Sequence, residues 1–405
     1  MTQIRPALVP DHVPAHLVYP YDIYQRLHGD GDFQGWFASL HEQGYPDMFW
    51  TVENGGHWVV TRGDILCDVL GTPELFSSRI QIVPRERSFE TPAFPISLDP
   101  PEHTRYRAVL NGAFSPRVVT PLGEDAARLT HQLIDGFYTA GSCEFMADVS
   151  RILPISIFMN MVGIPASHRE NLLALVDEMI RPTDINAMDA GRGLTDYARD
   201  TVRQRRASPG EDLLSRLSQA RVDGELLSED QLTGMTILLL LGGLDTVASV
   251  LGFTMNYLAC HPQKRRQLAD TPALIPKAVE ELLRRFPVSS LGRIVTRDAE
   301  FHGVQLRKDD MVITPTMAHG LDDRQFENPT DVDFGRKFSF HGTFGNGPHR
   351  CLGSMLARVE LRAFLQAWLS RIPDFDVADE ELVVDTGMVI ALHRLPLRWT
   401  VQAGP

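Results

Sequence analysis

The chain has 405 residues, of which 43% are hydrophobic and 22% are charged, enough for one large domain or a few ordinary ones around a sizeable core. Its formal net charge of −13 argues against a nucleic-acid-binding protein, whose binding surface is basic, but leaves room for a local basic patch. The cysteines lie far apart without a CxxC pair, which argues against a zinc site or a disulfide framework and fits a reducing cytoplasm. They are Cys67, Cys143, Cys260 and Cys351.

The first hundred residues are predicted to form a β-rich part with a few short helices. Positions 1–20 hold no long apolar run, so we expect neither a signal peptide nor a membrane anchor. Met48–Val52 and Trp58–Thr61 alternate in polarity and are rich in β-formers, and Asn54-Gly55-Gly56 between them predicts a hairpin turn. Short helices are predicted over Tyr21–Leu27, Gly35–Gln43 and Ile65–Leu70.

The rest of the chain has a mostly helical pattern, from about His103 to Leu369. Short β runs are predicted over Val295–Ile313 and over Leu382–Val401, around a turn at Thr386-Gly387. We find no internal repeat, low-complexity segment or break in composition. The prediction is therefore a mainly α fold with small β-sheets, one domain over 1–405, with a β-rich part at 1–100 and a helix-rich part at 101–405.

Two basic residues, His103 and Arg107, lie one helical turn apart on one face of a predicted helix. The preceding Leu98-Asp99-Pro100-Pro101-Glu102 is predicted to be the cap and the proline-initiated first turn of that helix. Any one such basic residue is ordinarily a solvated side chain, so the pair alone does not define a site.

A long apolar helix is predicted in the middle of the chain. Ser228-Glu229-Asp230-Gln231 resembles a capping box, and the residues from Leu232 to about Cys260 are apolar nearly all round. A transmembrane span is the rival interpretation, and Asp245 in its middle argues against it because a carboxylate at bilayer depth is costly. Thr246 could bond the carbonyl four residues earlier and open a bulge where water enters, with Asp245 relaying protons. The alternative is a satisfied buried aspartate at a kink.

Further along, Glu281 and Arg284 are spaced i, i+3 on one helix face, which alone indicates an ordinary surface pair. The segment 344–353 is a glycine-rich loop that carries Cys351 and is followed at once by a helical pattern. A cysteine beside a helix N-terminus is favoured as thiolate and suits an axial ligand to haem iron. The alternative is a buried structural cysteine after an ordinary turn.

The cysteine loop matches the signature of the cytochrome P450 family at Phe344, Gly347, His349, Cys351 and Gly353. The segment 241–246 resembles the oxygen-activation motif of that family, most closely that of the soluble bacterial camphor-hydroxylating class. The resemblance runs from about Trp58 to Trp399. It implies a triangular helical body around a buried haem b, with a long central helix and O2 as co-substrate.

The resemblance also assigns roles to residues. Cys351 would be the iron ligand, and Asp245, Thr246 and Gly243 would be the catalytic residues on the opposite side, with Arg181 and Asp177 as candidate partners of the acid. Glu281 and Arg284, joined by Arg336, would be structural. The cofactor-binding set would be His103, Arg107, Arg293, His349, Phe344, Gly345 and Gly353.

The substrate-contact positions implied by the resemblance are mostly aliphatic, which predicts a compact apolar substrate held mainly by shape. The tyrosine that donates to the camphor ketone corresponds to Thr91, which argues against camphor itself and for a related oxygenated terpenoid. Leu291 replaces an acidic residue that the class places near the haem propionates. The loop 81–94 is a candidate mobile lid. The implied contacts are Ile82, Thr91, Leu238, Leu241, Ser289, Leu291, Met388 and Val389.

The expected activity is hydroxylation of an unactivated C–H bond of a small cyclic monoterpenoid, camphor-like or cineole-like. Because no GxGxxG fingerprint is present, electrons should come from a 2Fe–2S ferredoxin and an NAD(P)H-dependent ferredoxin reductase, docking near Arg107 and Arg350. We expect a cytoplasmic monomer without nucleic-acid or membrane partners. The alternatives are a P450 for a norisoprenoid or aromatic compound, a haem-thiolate protein without turnover, against which Asp245 and Thr246 argue, and a helical protein without haem.

Overall fold

The computed structural model describes residues 7–29, 31–87, 92–181, 187–337, 340–378 and 381–401. The fold is mainly helical with small sheets, which confirms the predicted fold class. The helices are α1 (Phe33–Ala38), α2 (Gly63–Gly71), α3 (Glu102–Asn111), α4 (Pro116–Val119), α5 (Leu122–Phe137), α6 (Leu153–Val162), α7 (Arg169–Ile180), α8 (Ala187–Ala207), α9 (Leu213–Ser218), α10 (Glu229–Gly243), α11 (Thr246–Cys260), α12 (Pro262–Asp270), α13 (Ile275–Arg285), α14 (Met317–Gly320) and α15 (Ser354–Arg371).

The strands are short and join residues that are far apart in the sequence. The largest sheet has the order β2-β3-β11-β8-β4, in which only the β3–β11 pair is parallel. The N-terminal strands therefore complete a sheet whose other members come from the second half of the chain. The strands are β1 (Leu27–Gly29), β2 (Met48–Thr51), β3 (His57–Val60), β4 (Phe76–Ser77), β5 (Ser142–Glu144), β6 (Arg221–Val222), β7 (Glu225–Leu226), β8 (Ser290–Val295), β9 (Ala299–Phe301), β10 (Val304–Leu306), β11 (Met311–Pro315), β12 (Asp376–Val377), β13 (Leu382–Asp385), β14 (Ala391–Leu392) and β15 (Pro396–Arg398).

The predicted N-terminal hairpin is confirmed as β2 and β3, whereas the helix predicted over Tyr21–Leu27 is wrong. Leu27 begins β1, which pairs with β13 near the C-terminus, so a distant strand decides its conformation. The prediction for α3 also needs a correction. Asp99 does not cap this helix; it accepts from the Ser77 hydroxyl (2.5 Å) and the Ser78 amide (2.8 Å), and so fixes β4 against the start of α3.

The predicted capping box of the long helix is confirmed, since Ser228 Oγ accepts from the Gln231 amide and Gln231 Oε1 from the Ser228 amide. Within the described part of the chain, the stretch Glu229–Cys260, which comprises α10 and α11, is long and apolar enough to cross a membrane, with a mean hydropathy of 1.9, yet 67% of its apolar window is buried inside the protein. The stretch therefore fits a core helix. Its first half packs in one apolar cluster with Phe158 and its second half in another with Trp368.

Glu281 and Arg284 are fully buried rather than on the surface. Arg284 Nε and Nη2 donate to the two carboxylate oxygens of Glu281 at 2.8 and 2.9 Å, and Arg336 Nε adds a bond of 3.1 Å. The remaining Arg284 N–H groups donate to backbone carbonyls, including that of Gly320 at 2.5 Å. The charged groups of Glu281 and Arg284 all have hydrogen-bond partners, as a buried ion pair requires. The structural role predicted for this pair therefore fits its surroundings.

Glu360 on α15 is a buried carboxyl of a different kind. It is 2% exposed, and its Oε1 has no hydrogen-bond partner among the described residues. Burial raises the pKa of Glu360 well above its usual range, because an unpaired charge is costly in an apolar interior. The folded protein therefore keeps a proton on this side chain that the unfolded chain releases.

We predict that Glu360→Gln makes the protein less sensitive to high pH. A raised folded pKa contributes stability that is full below the unfolded value of about 4.3 and is lost as pH rises towards the folded pKa. The Tm of the wild type should fall more between about pH 5.5 and about pH 8 than that of Glu360→Gln. Thermal unfolding measures this, with the exposed Glu42→Gln as a control that should follow the wild type. An identical pH dependence in all three proteins would contradict the assignment.

Candidate active site

The central helix is interrupted at two residues. Helix α10 ends at Gly243 and α11 begins at Thr246, while Asp245 between them has a non-helical φ of −135°. Thr246 Oγ1 donates to the carbonyl oxygen of Gly242 at 3.1 Å. The bulge predicted from the sequence is therefore present. The threonine hydroxyl donates its hydrogen bond to the helix backbone, and its oxygen remains free to accept a hydrogen bond.

The two glycines before the break have different surroundings. A Cβ on Gly243 would lie 2.5 Å from the Phe158 ring, whereas a Cβ on Gly242 would meet nothing within 4 Å. Gly243 is thus needed for close packing against α6 and does not line open space. Gly243, a predicted catalytic position, lies beside Gly242, whose exposed backbone carries the carbonyl that Thr246 bonds.

One face of this helix remains accessible although its neighbours are buried. Leu238, Leu241 and Gly242 are not buried, and their helical spacing places them on one face of α10; Thr246, which is also not buried, joins this row through its bond to the Gly242 carbonyl. The remaining sides of α10 lie in the apolar core. The accessible face of α10 therefore leads to the carbonyl that Thr246 bonds.

Asp245 is paired as the sequence predicted. It is 7% exposed, and Arg181 donates to both carboxylate oxygens, Nη1 to Oδ2 at 2.8 Å and Nη2 to Oδ1 at 2.6 Å. Arg181 also bonds Asp177, whose side chain is 42% exposed. These carboxylates raise the pKa of Arg181 although burial opposes them. The acid at the break is thus connected to the surface by one guanidinium.

Two further groups support this pair. Arg181 Nη1 also donates to the carbonyl oxygen of Val389 at 3.1 Å, and the Ser249 hydroxyl donates to Asp245 Oδ2 at 3.3 Å. Ser249 lies one turn after Asp245 on α11 and is 1% exposed. The i, i+4 spacing of Asp245 and Ser249 was visible in the sequence, but only the burial of both side chains shows that they interact.

The cysteine loop is built by a tight backbone conformation. Gly347 has φ of +68°, and a Cβ there would lie 2.2 Å from the carbonyl oxygen of Leu70, so only glycine fits. The Cys351 amide donates to the Phe344 carbonyl at 2.8 Å. The Cys351 side chain remains accessible three residues before α15 begins. The loop thus presents its sulfur while the backbone around it is fixed.

Although Cys351 is accessible to solvent, the protein atoms packed around its sulfur raise the pKa of the thiol, and the Gly353 N–H and the charges of Arg107, Arg358 and Arg350 oppose this effect. The helix N-terminus and these three charges favour the thiolate, and the surrounding protein atoms favour the thiol. A metal ion bound to the sulfur would reverse the balance, since a coordinated thiol is deprotonated. Arg358, which the sequence did not single out, lies 4.5 Å over the Phe344 ring.

The predicted cofactor-binding histidines and arginines form one cluster. The rings of His103 and His349 have centroids 3.9 Å apart, and the charges of Arg293 and Arg107 act on both rings. Arg293 is 4% exposed, and its Nη1 donates to the Gly292 carbonyl at 2.7 Å. Neither ring nitrogen of His349 nor Nδ1 of His103 has a partner among the described residues.

This cluster is electrostatically unfavourable by itself. Burial and the neighbouring cations lower the pKa of His349 to about 2 and that of His103 to about 4. Burial also lowers the pKa of Arg293 to about 10, and the more distant charge of Asp99 offsets this only in part. Buried donors with lowered pKa values are the surroundings that an anionic ligand group would complete.

The remaining predicted contacts lie around the same region, except one. Leu291 is half-buried, and its Cδ1 is 3.3 Å from the Cβ position of Gly345 in the cysteine loop. Ser289 forms a β-bridge with Val389, and Ser290 donates to the Met388 carbonyl at 2.8 Å. Ile82 is half-buried, and Thr91 lies outside the described residues.

Comparison with known proteins gives the family. The cytochrome P450 family model matches residues 272–400. A probable cytochrome P450 127A1 from Sinorhizobium fredii is 33% identical over 401 residues, which is 96% of this chain and 97% of the relative. A steroid C26-monooxygenase from Mycolicibacterium smegmatis is 31% identical over 81% of this chain and 83% of its own.

Solved structures agree with this result. The crystal structure of CYP101J2 is 38% identical, with a TM-score of 0.89, and covers 98% of this chain and 100% of its own. That of CYP101C1 is 33% identical, with a TM-score of 0.87, over 97% and 100%. Both support the resemblance to the camphor-hydroxylating class. The chain therefore belongs to the cytochrome P450 family, O2-dependent monooxygenases that carry haem b on a cysteine thiolate.

Proposed function

We propose that this P450 hydroxylates an unactivated C–H bond of a small, apolar, cyclic monoterpenoid, camphor-like or cineole-like. The observation that carries the proposal is the bidentate Arg181–Asp245 pair at the helix break, next to the Thr246 hydroxyl. A protein that only binds haem has no need of a buried carboxylate connected to the surface at this point. The whole of 1–405 acts as one domain in this proposal.

The residues of the site fit a haem. Cys351 is the proposed iron ligand, and the loop residues Phe344, Gly345 and Gly353 belong to the proposed cofactor-binding set. His103, His349 and Arg293 have buried nitrogen donors that the two propionates would satisfy, and Arg107 completes the set. When bound, a thiolate-ligated haem activates O2 and inserts one oxygen atom into a substrate C–H bond.

Asp245 and Thr246 have distinct roles in proton transfer. Asp245 takes protons from the surface when Arg181 shifts its hydrogen bonds from Asp245 to the half-exposed Asp177. This shift is possible because the guanidinium already bonds both carboxylates. Thr246 Oγ1 accepts hydrogen bonds at its lone pairs while its own O–H group donates to the Gly242 carbonyl. The two side chains thus deliver protons at the helix break, away from the apolar row of α10.

The substrate pocket is predominantly aliphatic. Leu238 and Leu241 belong to the accessible row of α10, and Leu291 borders the cysteine loop. Such surfaces select by shape and volume. Similarity to the CYP101 structures supports the resemblance to the camphor-hydroxylating class, and that resemblance favours a compact terpenoid. Together with Ile82, Met388 and Val389, and with Thr91, these residues form the proposed contact set.

Electrons are proposed to come from an acidic 2Fe–2S ferredoxin fed by an NAD(P)H-dependent reductase, in the cytoplasm. Arg107 and Arg350 lie side by side, since Arg107 Nη2 donates to the Arg350 carbonyl, and the charges of both act on Cys351. Against a net charge of −13, this local basic surface would orient an acidic partner towards the sulfur.

Thr246→Ala should retain haem and substrate binding but divert electrons to hydrogen peroxide. The variant loses the hydroxyl that forms hydrogen bonds beside Gly242. The loss of a positioned proton-transfer group lowers the rate of the catalysed step by about a hundredfold or more. Product and peroxide formed per NADH measure the effect, and Thr246→Ser, which keeps the hydroxyl, should resemble the wild type. Full coupling in Thr246→Ala would contradict the role.

Arg293→Met should release haem faster without destabilising the polypeptide. A charge-assisted hydrogen bond contributes about 1.5–3 kcal/mol, so haem loss should accelerate by about tenfold or more. The stability of the apoprotein should stay equal or rise, because a buried unpaired charge is removed. Haem transfer to apomyoglobin and thermal unfolding of the apoprotein measure the two effects. The exposed Arg297→Met is the control, and equal haem loss in both variants would count against the propionate contact.

A panel of cyclic terpenoids, norisoprenoids and small aromatic compounds tests the substrate class. Ligands that fill the pocket displace water from the iron and shift the spin state of the haem. We expect the largest shifts with bicyclic monoterpenoids, and oxidised product from the same compounds with a surrogate ferredoxin system. Cys351→Ser should lose the thiolate-type band of the ferrous CO complex. A spectrum that is unchanged in this variant, or a panel that favours aromatic compounds, would overturn the respective part of the proposal.

A further inference from the structure

One face of strand β8 borders the site described above. Side chains two residues apart lie on the same face of a strand, so Arg293, Leu291 and Ser289, just before the strand begins, form one row. Arg293 belongs to the basic cluster, and Leu291 contacts the cysteine loop at Gly345. Ser289 is the next side chain, about 7 Å beyond Leu291. The row therefore leads from the basic cluster along the cysteine loop to Ser289.

The backbone of Ser289 is held on both sides. Its carbonyl oxygen accepts from the Thr316 amide at 2.8 Å and from the Thr316 hydroxyl at 2.7 Å. On the other side it forms the β-bridge with Val389. The position of the Ser289 hydroxyl is thus set by fixed strands rather than by a loop.

That hydroxyl is available to a ligand. Ser289 is half-buried, and no described residue forms a hydrogen bond with its side chain. The other described members of the predicted substrate set are aliphatic or thioether side chains, so Ser289 is the polar group among them. Burying an unbonded hydroxyl under an apolar ligand is unfavourable. A ligand that brings an acceptor oxygen to this point is favoured over a hydrocarbon of the same shape.

We propose that Ser289 donates a hydrogen bond to the single ether or carbonyl oxygen of the substrate and so selects oxygenated cyclic terpenoids over hydrocarbons. The inference rests on the proposed function and adds the group that orients the substrate. Val389, the bridge partner of Ser289, accepts from Arg181, which binds Asp245. The oxygen end of the substrate is therefore held by the same backbone that supports the proton path.

Ser289→Val and Ser289→Thr test the proposal, because the two new side chains have nearly the same shape and differ in the hydroxyl. Dissociation constants are measured from the spin-state shift of the holoenzyme for camphor and camphane, and for cineole and its analogue with CH2 in place of the ether oxygen. Ser289→Val should weaken binding of the oxygenated member of a pair by about tenfold and leave the hydrocarbon within about twofold. Ser289→Thr should follow the wild type with both.

Equal weakening of both members of each pair, or equal losses in Ser289→Val and Ser289→Thr, would overturn the inference. Ser289→Ala, which adds no volume, gives the same comparison if the larger side chains impair folding. The CO spectrum separates the two levels of the assignment. A thiolate-type band with no response of the wild type to any oxygenated terpenoid overturns the role of Ser289 and leaves the haem-thiolate assignment standing. Absence of the band removes both.

Discussion

The pairing of Asp245 with Arg181 is the interaction on which the rest of the site depends. An ionised carboxylate in the middle of an apolar helix is costly to bury unless a cation with matching geometry satisfies both oxygens. Arg181 meets this requirement with two bonds to Asp245 and extends to Asp177 and the Val389 carbonyl. One guanidinium thereby fastens α7, the helix break and the segment before β14 to one another.

The break also lies where two regions of the core meet. The residues of α10 pack in the apolar cluster around α6 to α9, and those of α11 pack in the cluster around the large sheet and α15. A continuous helix would have to pack the same rigid surface against both apolar clusters. The interruption at Leu244 and Asp245 exposes the Gly242 carbonyl and gives Thr246 a bond there, so the catalytic irregularity sits at a natural boundary of the packing.

Much of the site could be predicted because its chemistry is local in sequence. The capping box, the Glu281–Arg284 pair and the Arg181–Asp245 pair follow from residue types at helical spacing or from a family motif, and the structure has all three. What failed was decided by distant contacts. Leu27 pairs with a strand about 350 residues later, and the close packing of Gly243 against the Phe158 ring is likewise a contact that no local pattern reveals.

Electrostatics gave a second limit on prediction. The sequence places His103, Arg293 and His349 far apart, and nothing local shows that burial lowers the pKa values of all three. The same holds for Cys351, whose helix N-terminus predicts a thiolate while burial favours the thiol. Both departures have one physical explanation, because an iron porphyrin with two carboxylates would stabilise both groups. The carboxylates would accept from the nitrogen donors of the basic cluster, and the iron would stabilise the Cys351 thiolate.

In the proposed function, substrate recognition and proton delivery share one backbone support. Ser289 is bridged to Val389, and the Val389 carbonyl is a ligand of the guanidinium that holds Asp245. In an aliphatic pocket, shape restricts where a small rigid ligand sits but leaves it free to rotate, because dispersion contacts are weakly directional. A single hydrogen bond removes that freedom. In the proposed function, a hydrogen bond from Ser289, whose bridge partner Val389 supports the acid, would orient the substrate relative to Asp245.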